Sequence, residues 1–328
     1  SVVQLVAGLY PDVDWRDDLV TVSGFAPFDD ELHPDPHWFD RADRRVRALV
    51  RAGIVPCVFG LWAYHVGFVG IDAAMRLWRE IIARWSALPV IWTVAGEASL
   101  PWYGRLGSSD IDAVVQAQLE DIRRLASFVR QHDTYLNPIA AHPCPGTGFV
   151  SSLDQFEEHL DLIMLQTGHR GQWSIPVAHE ALATARERRP EVPVVNAEAS
   201  YEGILGSSWH SDQRWQAWSQ LLGGAAGFTY GAQGLWRFDQ GPNDPLRAHT
   251  GSWGEYRWQD AAQFEGGRHI GLAGCLLRQW GIEDYRPSPD VLVTDEPLPP
   301  PAAPAVVRRA DGWVCSPDLA PLGAVVLV

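Results

Sequence analysis

The chain has 328 residues, and its 26 basic side chains, all arginine, stand against 40 acidic ones, a formal charge of −14 with histidine neutral. That excess of carboxylates excludes a nucleic-acid binder that works by neutralising phosphates, and no apolar run approaches the ~18 residues a membrane-crossing helix needs. A composition 46% hydrophobic and 20% charged is that of a globular protein able to bury a full core.

In chain order, nearly continuous apolar runs occur at Val2–Ala7, Ile54–Leu61, Pro89–Val94, Asn137–Ala141, Leu162–Gln166, Pro193–Ala197 and Ala225–Tyr230. Runs of this kind, without period-two alternation, predict parallel strands buried on both faces. Between them, stripes at Leu77, Ile81 and Trp85, at Val115, Leu119, Ile122, Leu125 and Val129, and at Trp215, Trp218, Leu221 and Leu222 predict helices. Ser152 with Gln155 reads as a capping box, and Ser211 with Asp212 as the opening of the tryptophan-bearing helix. Residues 236–249 read as a polar loop and 261–280 as a helix. The proline-rich Leu298–Ala305 reads as an extended linker, and the remainder, through Val328, as two short strands.

A strand roughly every 33 residues is the stride of a (β/α)8 TIM barrel. A doubly wound sheet would call for a glycine fingerprint after the first strand, and none follows Ala7. Seven strands against the eight of a barrel, with the first run opening at Val2, predict that the first β/α unit is missing and that the chain is a fragment or a processed form. The expected organisation is a barrel over 1–286 and a linker with a short β tail over 287–328.

Cys57, Cys144, Cys275 and Cys315 stand far apart without zinc-ligand spacing, and read as buried small apolar residues. Of the 16 Trp, most read as core and the rest as platforms for flat ligand faces such as sugars.

A barrel places its chemistry at the C-terminal ends of its strands. Two acidic residues are predicted there: Glu97 after the Ile91 strand and Glu198 after the Val194 strand, the fourth and seventh of an eight-strand count. A charge that directly follows a buried strand is costly unless solvated, paired or used. Glycoside hydrolysis uses such a pair, one carboxylic acid to protonate the departing oxygen and one carboxylate across the anomeric carbon. Glu97 is therefore the expected acid/base and Glu198 the expected nucleophile, with Glu202 the rival nucleophile. Trp62, Tyr64, His142, Gln166, His169, Tyr201, Glu202, Tyr230 and Trp236 fall on the same rim as candidate substrate-binding residues. His142 and His169 are the alternative metal ligands, but no H-x-H lies on the first strand run, and no metal is expected.

The segments Val90–Glu97, Asn196–Gly203 and Gly224–Gly231, together with Val3–Val6 and Pro27–Asp30, resemble the apiosidase-like catalytic domain family. The resemblance covers residues 1 to about 285. It implies a TIM barrel allied to retaining glycoside hydrolases with carboxylates on strands four and seven. It also implies removal of apiose or related sugars from plant polysaccharides, without a cofactor. The family carries an upstream Trp-Leu-Gly-Asp-like first strand that this chain begins after, and a small C-terminal β-sandwich of which the residues after Pro301 could be a remnant. The expected function is retaining hydrolysis of a plant or bacterial polysaccharide or oligosaccharide. The alternative is a non-catalytic carbohydrate-binding barrel, disabled by its missing strand.

Overall fold

The computed structural model describes residues 1–11, 25–156, 159–236, 238–241 and 256–287, and three short strands beyond them. The chain forms two compact units, Ser1–Met164 and Leu165–Val328.

In the first unit, β1 (Val2–Leu9), β2 (Val55–Leu61), β3 (Ile91–Thr93) and β4 (Ile139–Ala140) form a parallel sheet in that order. The helices α1 (Pro36–Arg51), α2 (Ile71–Trp85) and α3 (Ile111–His132) connect them. Parallel strands need such crossovers, and the helices cover apolar sheet that would otherwise meet water. The predicted stripe of α2 is the buried one: Leu77, Ile81 and Trp85 are fully covered, as is Trp78. Indole N–H groups buried here keep acceptors, Trp78 donating to the Val94 carbonyl at 3.2 Å and Trp92 to Asp133 Oδ2 at 2.7 Å, so the rings fill the core without stranding a donor. The sequence stripes did not predict α1. It buries only Phe39 and Val46, and it starts on local chemistry instead, with Asp35 accepting from His37 N at 2.8 Å and Pro36 in the first turn.

In the second unit the sheet order is β5 (Ile163–Gln166), β6 (Val194–Glu198) and β7 (Gly227–Phe228), the unit boundary falling inside β5. Its helices are α4 (Ser174–Arg188), α5 (His210–Leu222) and α6 (Glu265–Trp280). Trp218 and Leu222 of α5 pack with Ala273 and Leu277 of α6 and with Tyr285. Each of the seven apolar runs thus forms a strand, and the architecture is α/β.

Several local expectations are corrected. The helix predicted over 261–280 is interrupted, a short turn at Trp258–Ala261 preceding α6. Ser152 does not close a capping box, because its Oγ accepts from Met164 N at 3.0 Å. Helix α5 begins at His210 without a side-chain cap, so Ser211 and Asp212 lie inside its first turn, where an acidic charge suits the helix dipole. Cys57 and Cys144 are buried, but Cys275 is exposed on α6, beside Arg278 at 3.4 Å. Cys315 falls on a strand whose side-chain burial lies outside the described residues.

The tail forms three strands, β9 (Val307–Arg309), β10 (Val314–Ser316) and β11 (Val326–Leu327), which extend β8 (Tyr285–Pro287) into an antiparallel sheet of order β11-β10-β9-β8. The predicted linker at 298–305 and the loop at 242–249 lie outside the described residues. Among the described residues, no helix is long and apolar enough to cross a membrane.

Candidate active site

Beyond β2 and β3 the first unit continues its ladder by single bonds. Gly96 N donates to the Leu61 carbonyl at 2.9 Å and Ala63 N to the Gly96 carbonyl at 3.0 Å, which sets Trp62 beside Gly96. A Cβ on Gly96 would fall 2.2 Å from the Trp62 ring, so only glycine lets the indole lie against this backbone. From there Trp62 Nε1 donates to Glu97 Oε2 at 3.0 Å. Glu97 itself has φ +41°, a left-handed conformation that residues other than glycine rarely adopt and that folded structures hold mainly at functional sites. The loop after it is clamped from α3, where Gln118 Nε2 donates to the carbonyls of Ala98 at 2.8 Å and Leu100 at 2.9 Å. His142 is buried, its ring 6.5 Å from that of Trp62 and 5.7 Å from Phe59, and its carbonyl accepts from Ala98 N at 2.9 Å. Trp62, Glu97 and His142 therefore form one group, with Tyr64 buried in the turn that follows.

In the second unit Glu198 is the last residue of β6, and its side chain is 14% exposed. His169 Nε2 lies 2.9 Å from Glu198 Oε1; against an ionised carboxylate the imidazole is the donor. The Tyr201 ring packs 4.6 Å from that of His169. Here too a glutamine of the next helix holds the loop. Gln213 Nε2 donates to the Ser200 carbonyl at 2.7 Å and to the Ser208 carbonyl at 3.1 Å, while Gln216 Oε1 accepts from Ser200 N at 3.2 Å.

Glu202 occupies a different environment. It is 1% exposed, and Oε2 accepts from the Tyr230 hydroxyl at 2.6 Å and from Gly266 N at 2.9 Å. The carboxylate thereby caps α6 at the end where backbone N–H groups and the helix dipole favour an anion. A Cβ at Gly266 would come 2.3 Å from Oε2, so glycine is what admits the carboxylate. Burial, and then the bond to Glu202, push the Tyr230 phenol well above its ordinary pKa. Gln166 is buried at the end of β5, and Trp236 is half-buried in a turn beyond Tyr230.

Sequence reasoning missed the glutamine clamps, because a lone polar residue on a helix carries no sign of the carbonyls it reaches. Nor did it single out Phe68, Trp102 and Tyr103, aromatic residues that follow β2 and β3. The one cluster of metal-ligating type among the described residues, Asp29, Glu31 and His33, is exposed, and Asp29 Oδ1 already accepts from Glu31 N at 3.0 Å and His33 N at 2.8 Å.

The fold is similar to that of solved glycoside hydrolases. One, described simply as a glycoside hydrolase, superposes with a TM-score of 0.75 at 18% identity, over 96% of this chain and 71% of the other. A glycoside hydrolase family 5 protein from Bacteroides vulgatus ATCC 8482 does so with a TM-score of 0.74 at 18% identity, over 96% of this chain and 68% of the other. These likenesses show a fold of the TIM-barrel kind, of which the described residues form seven parallel strands in sheets of four and three rather than a closed barrel. No curated protein matches by sequence. The family description "Apiosidase-like, catalytic domain" matches residues 6–283, and the chain belongs to that family.

Proposed function

We propose that the protein is a retaining glycoside hydrolase that removes apiose or a related sugar from a plant or bacterial polysaccharide or oligosaccharide. The observation that carries this reading is the pair of glutamates at the ends of β3 and β6, each partly exposed and each facing a fixed ring N–H donor, Trp62 for Glu97 and His169 for Glu198. Among the acidic residues after strand ends, Glu202 contrasts with them, being buried and committed to Tyr230 and Gly266.

In this scheme the Glu198 carboxylate attacks the anomeric carbon and forms a covalent glycosyl ester as the bond to the leaving oxygen breaks. Glu97 gives its proton to that oxygen. Glu97, now ionised, then takes a proton from water, whose oxygen attacks the anomeric carbon and frees Glu198, with net retention of configuration. The mechanism requires the carboxyl groups about 5–5.5 Å apart. Hydrogen bonds from Trp62 and His169 hold each carboxyl side chain in one rotamer before substrate arrives. The scheme needs neither metal nor cofactor. Residues 1–286 form the catalytic domain and 287–328 an appended β segment; His142, Gln166, Tyr201 and Trp236 contribute to sugar binding, and Glu202 with Tyr230 positions the loop that follows Glu198.

The test is turnover of a panel of aryl glycosides that includes an apioside, with the product anomer followed by NMR. Retention in the parent, and a Glu198→Ala variant that is inactive but yields glycosyl azide when azide is added, support the scheme. Inversion, or undiminished turnover in Glu198→Ala, overturns it. Binding of polysaccharide with no turnover in the parent would favour a non-catalytic binding barrel.

A further inference from the structure

The loop that leaves Glu97 carries a group of aromatic rings that the proposed chemistry does not use. Tyr64, Phe68, Trp102 and Tyr103 come from the turns after β2 and β3. The Trp102 ring lies 5.3 Å from Tyr64, 5.5 Å from Phe68 and 5.6 Å from Tyr103. Tyr64 is the buried base of the group, at 3% exposed, whereas Trp102 is 40% and Phe68 55% exposed. Apolar rings of this size are normally covered, and two left open side by side mark a candidate binding surface. The group is also held in place. Gln118 fixes the carbonyls of Ala98 and Leu100, and Arg105 pairs with Asp110 at 2.6 Å where the loop returns to α3. Gly104 passes so close to the indole that a Cβ there would stand 3.0 Å from Trp102 Nε1.

We infer that the face of Trp102, with Phe68 standing edge-on beside it at 76° and Tyr64 beneath, forms a stacking subsite for a sugar of the polymer from which the terminal sugar is cleaved. Three features select this occupant. The rings are flat, with polar edges on the tyrosines and the indole, which matches the apolar faces and hydroxyl rim of a pyranose. Trp102 follows Glu97 by five residues and so lies at most ~18 Å along the chain from it, a span that a short oligosaccharide bridges. Glu97, read as the acid, serves the leaving oxygen, so the chain that departs from that oxygen runs toward its loop. The inference rests on that reading of Glu97.

The experiment compares kcat/KM for an apiose-bearing plant oligosaccharide with kcat/KM for the corresponding monosaccharide aryl glycoside, in the parent, Trp102→Ala and Trp102→Phe. The ratio of oligosaccharide to aryl glycoside should fall roughly ten-fold in Trp102→Ala, through KM for the oligosaccharide, and be largely restored in Trp102→Phe, which keeps a ring. An unchanged ratio in Trp102→Ala overturns the subsite, as does an equal fall in both variants. If the parent turns over no glycoside, the proposed function fails, and the subsite is judged separately by affinity electrophoresis of the intact chain in a gel containing an apiose-bearing plant polysaccharide. Retardation that is lost in Trp102→Ala supports the subsite; retardation that persists overturns it.

Discussion

The two glutamate loops reach a similar result by different means. Glu198 ends a regular strand, and its partner His169 arrives on the loop after the neighbouring β5. Glu97 stands four residues beyond β3 at φ +41°, and its partner Trp62 arrives through a bridge that exists only because Gly96 has no side chain. Yet both loops are pinned by glutamine amides from the following helix, Gln118 on one side and Gln213 with Gln216 on the other. A carboxylate at a strand end can thus be placed by the strand alone, or by a strained backbone and a glycine contact. The shared requirement is that loop carbonyls left unpaired where a strand ends find buried donors.

The sharpest break in this comparison comes from removing the carboxylates themselves. Glu198→Ala should abolish turnover of every substrate, whereas Glu97→Ala should lose ~10²–10⁴-fold on substrates whose leaving group needs a proton and far less on dinitrophenyl glycosides. Rates across a leaving-group series check this, and equal losses for both variants on all substrates would remove the distinction of roles.

Next come the donors. Trp62→Phe keeps the ring over Gly96 but deletes a hydrogen bond to a carboxyl that becomes charged as its proton leaves, a bond worth about 1.5–3 kcal/mol to the charged form and hence a loss of about ten-fold or more. The loss should grow as the leaving group becomes poorer. His169→Gln should lose a comparable factor with no such trend. Identical leaving-group slopes would show that the two donors do not serve separate steps.

A third pair of variants addresses the buried carboxylate after the Glu198 strand. Gly266→Ala drives a Cβ to within 2.3 Å of Glu202 Oε2, and Tyr230→Phe strips that oxygen of its hydroxyl donor. Each should cost about 1–3 kcal/mol of stability in denaturant unfolding. Gly274, whose Cβ would meet nothing closer than 3.6 Å, supplies the control, and Gly274→Ala should not destabilise.

The smallest expected effect concerns His179 on α4, whose pKa is held below its ordinary value by burial and whose Nε2 meets no hydrogen-bond partner among the described residues. Below about pH 6.5 the unfolded chain takes up a proton that the folded one resists. The stability carried by the neutral imidazole is therefore full above that pH and is lost as pH falls toward the folded-state pKa. Thermal unfolding of His179→Gln should lose less midpoint temperature between neutral pH and pH 5 than the parent does. Parallel curves would exclude His179 as a source of acid sensitivity.

Most of the strand framework and both glutamate positions were legible in the sequence, because continuous apolar runs have one good solution, burial between helices, and a charge after such a run is conspicuous. Helices with weak stripes were not. α1 buries two hydrophobic side chains, and the buried face of α4 is largely alanine and serine, so tertiary packing rather than periodicity decides them. The standing of Glu202 was equally hidden, since only the fold brings Tyr230 and the start of α6 to a residue that in sequence looks like a second nucleophile. The sequence by itself determined the α/β pattern, the excess of acid and the two carboxylates that follow buried strands, all of which follow from local hydropathy. The tertiary structure alone decided which carboxylate is capped and buried, which meets an indole and which an imidazole, because hydrogen bonds are directional and their partners here lie 28 to 64 residues apart.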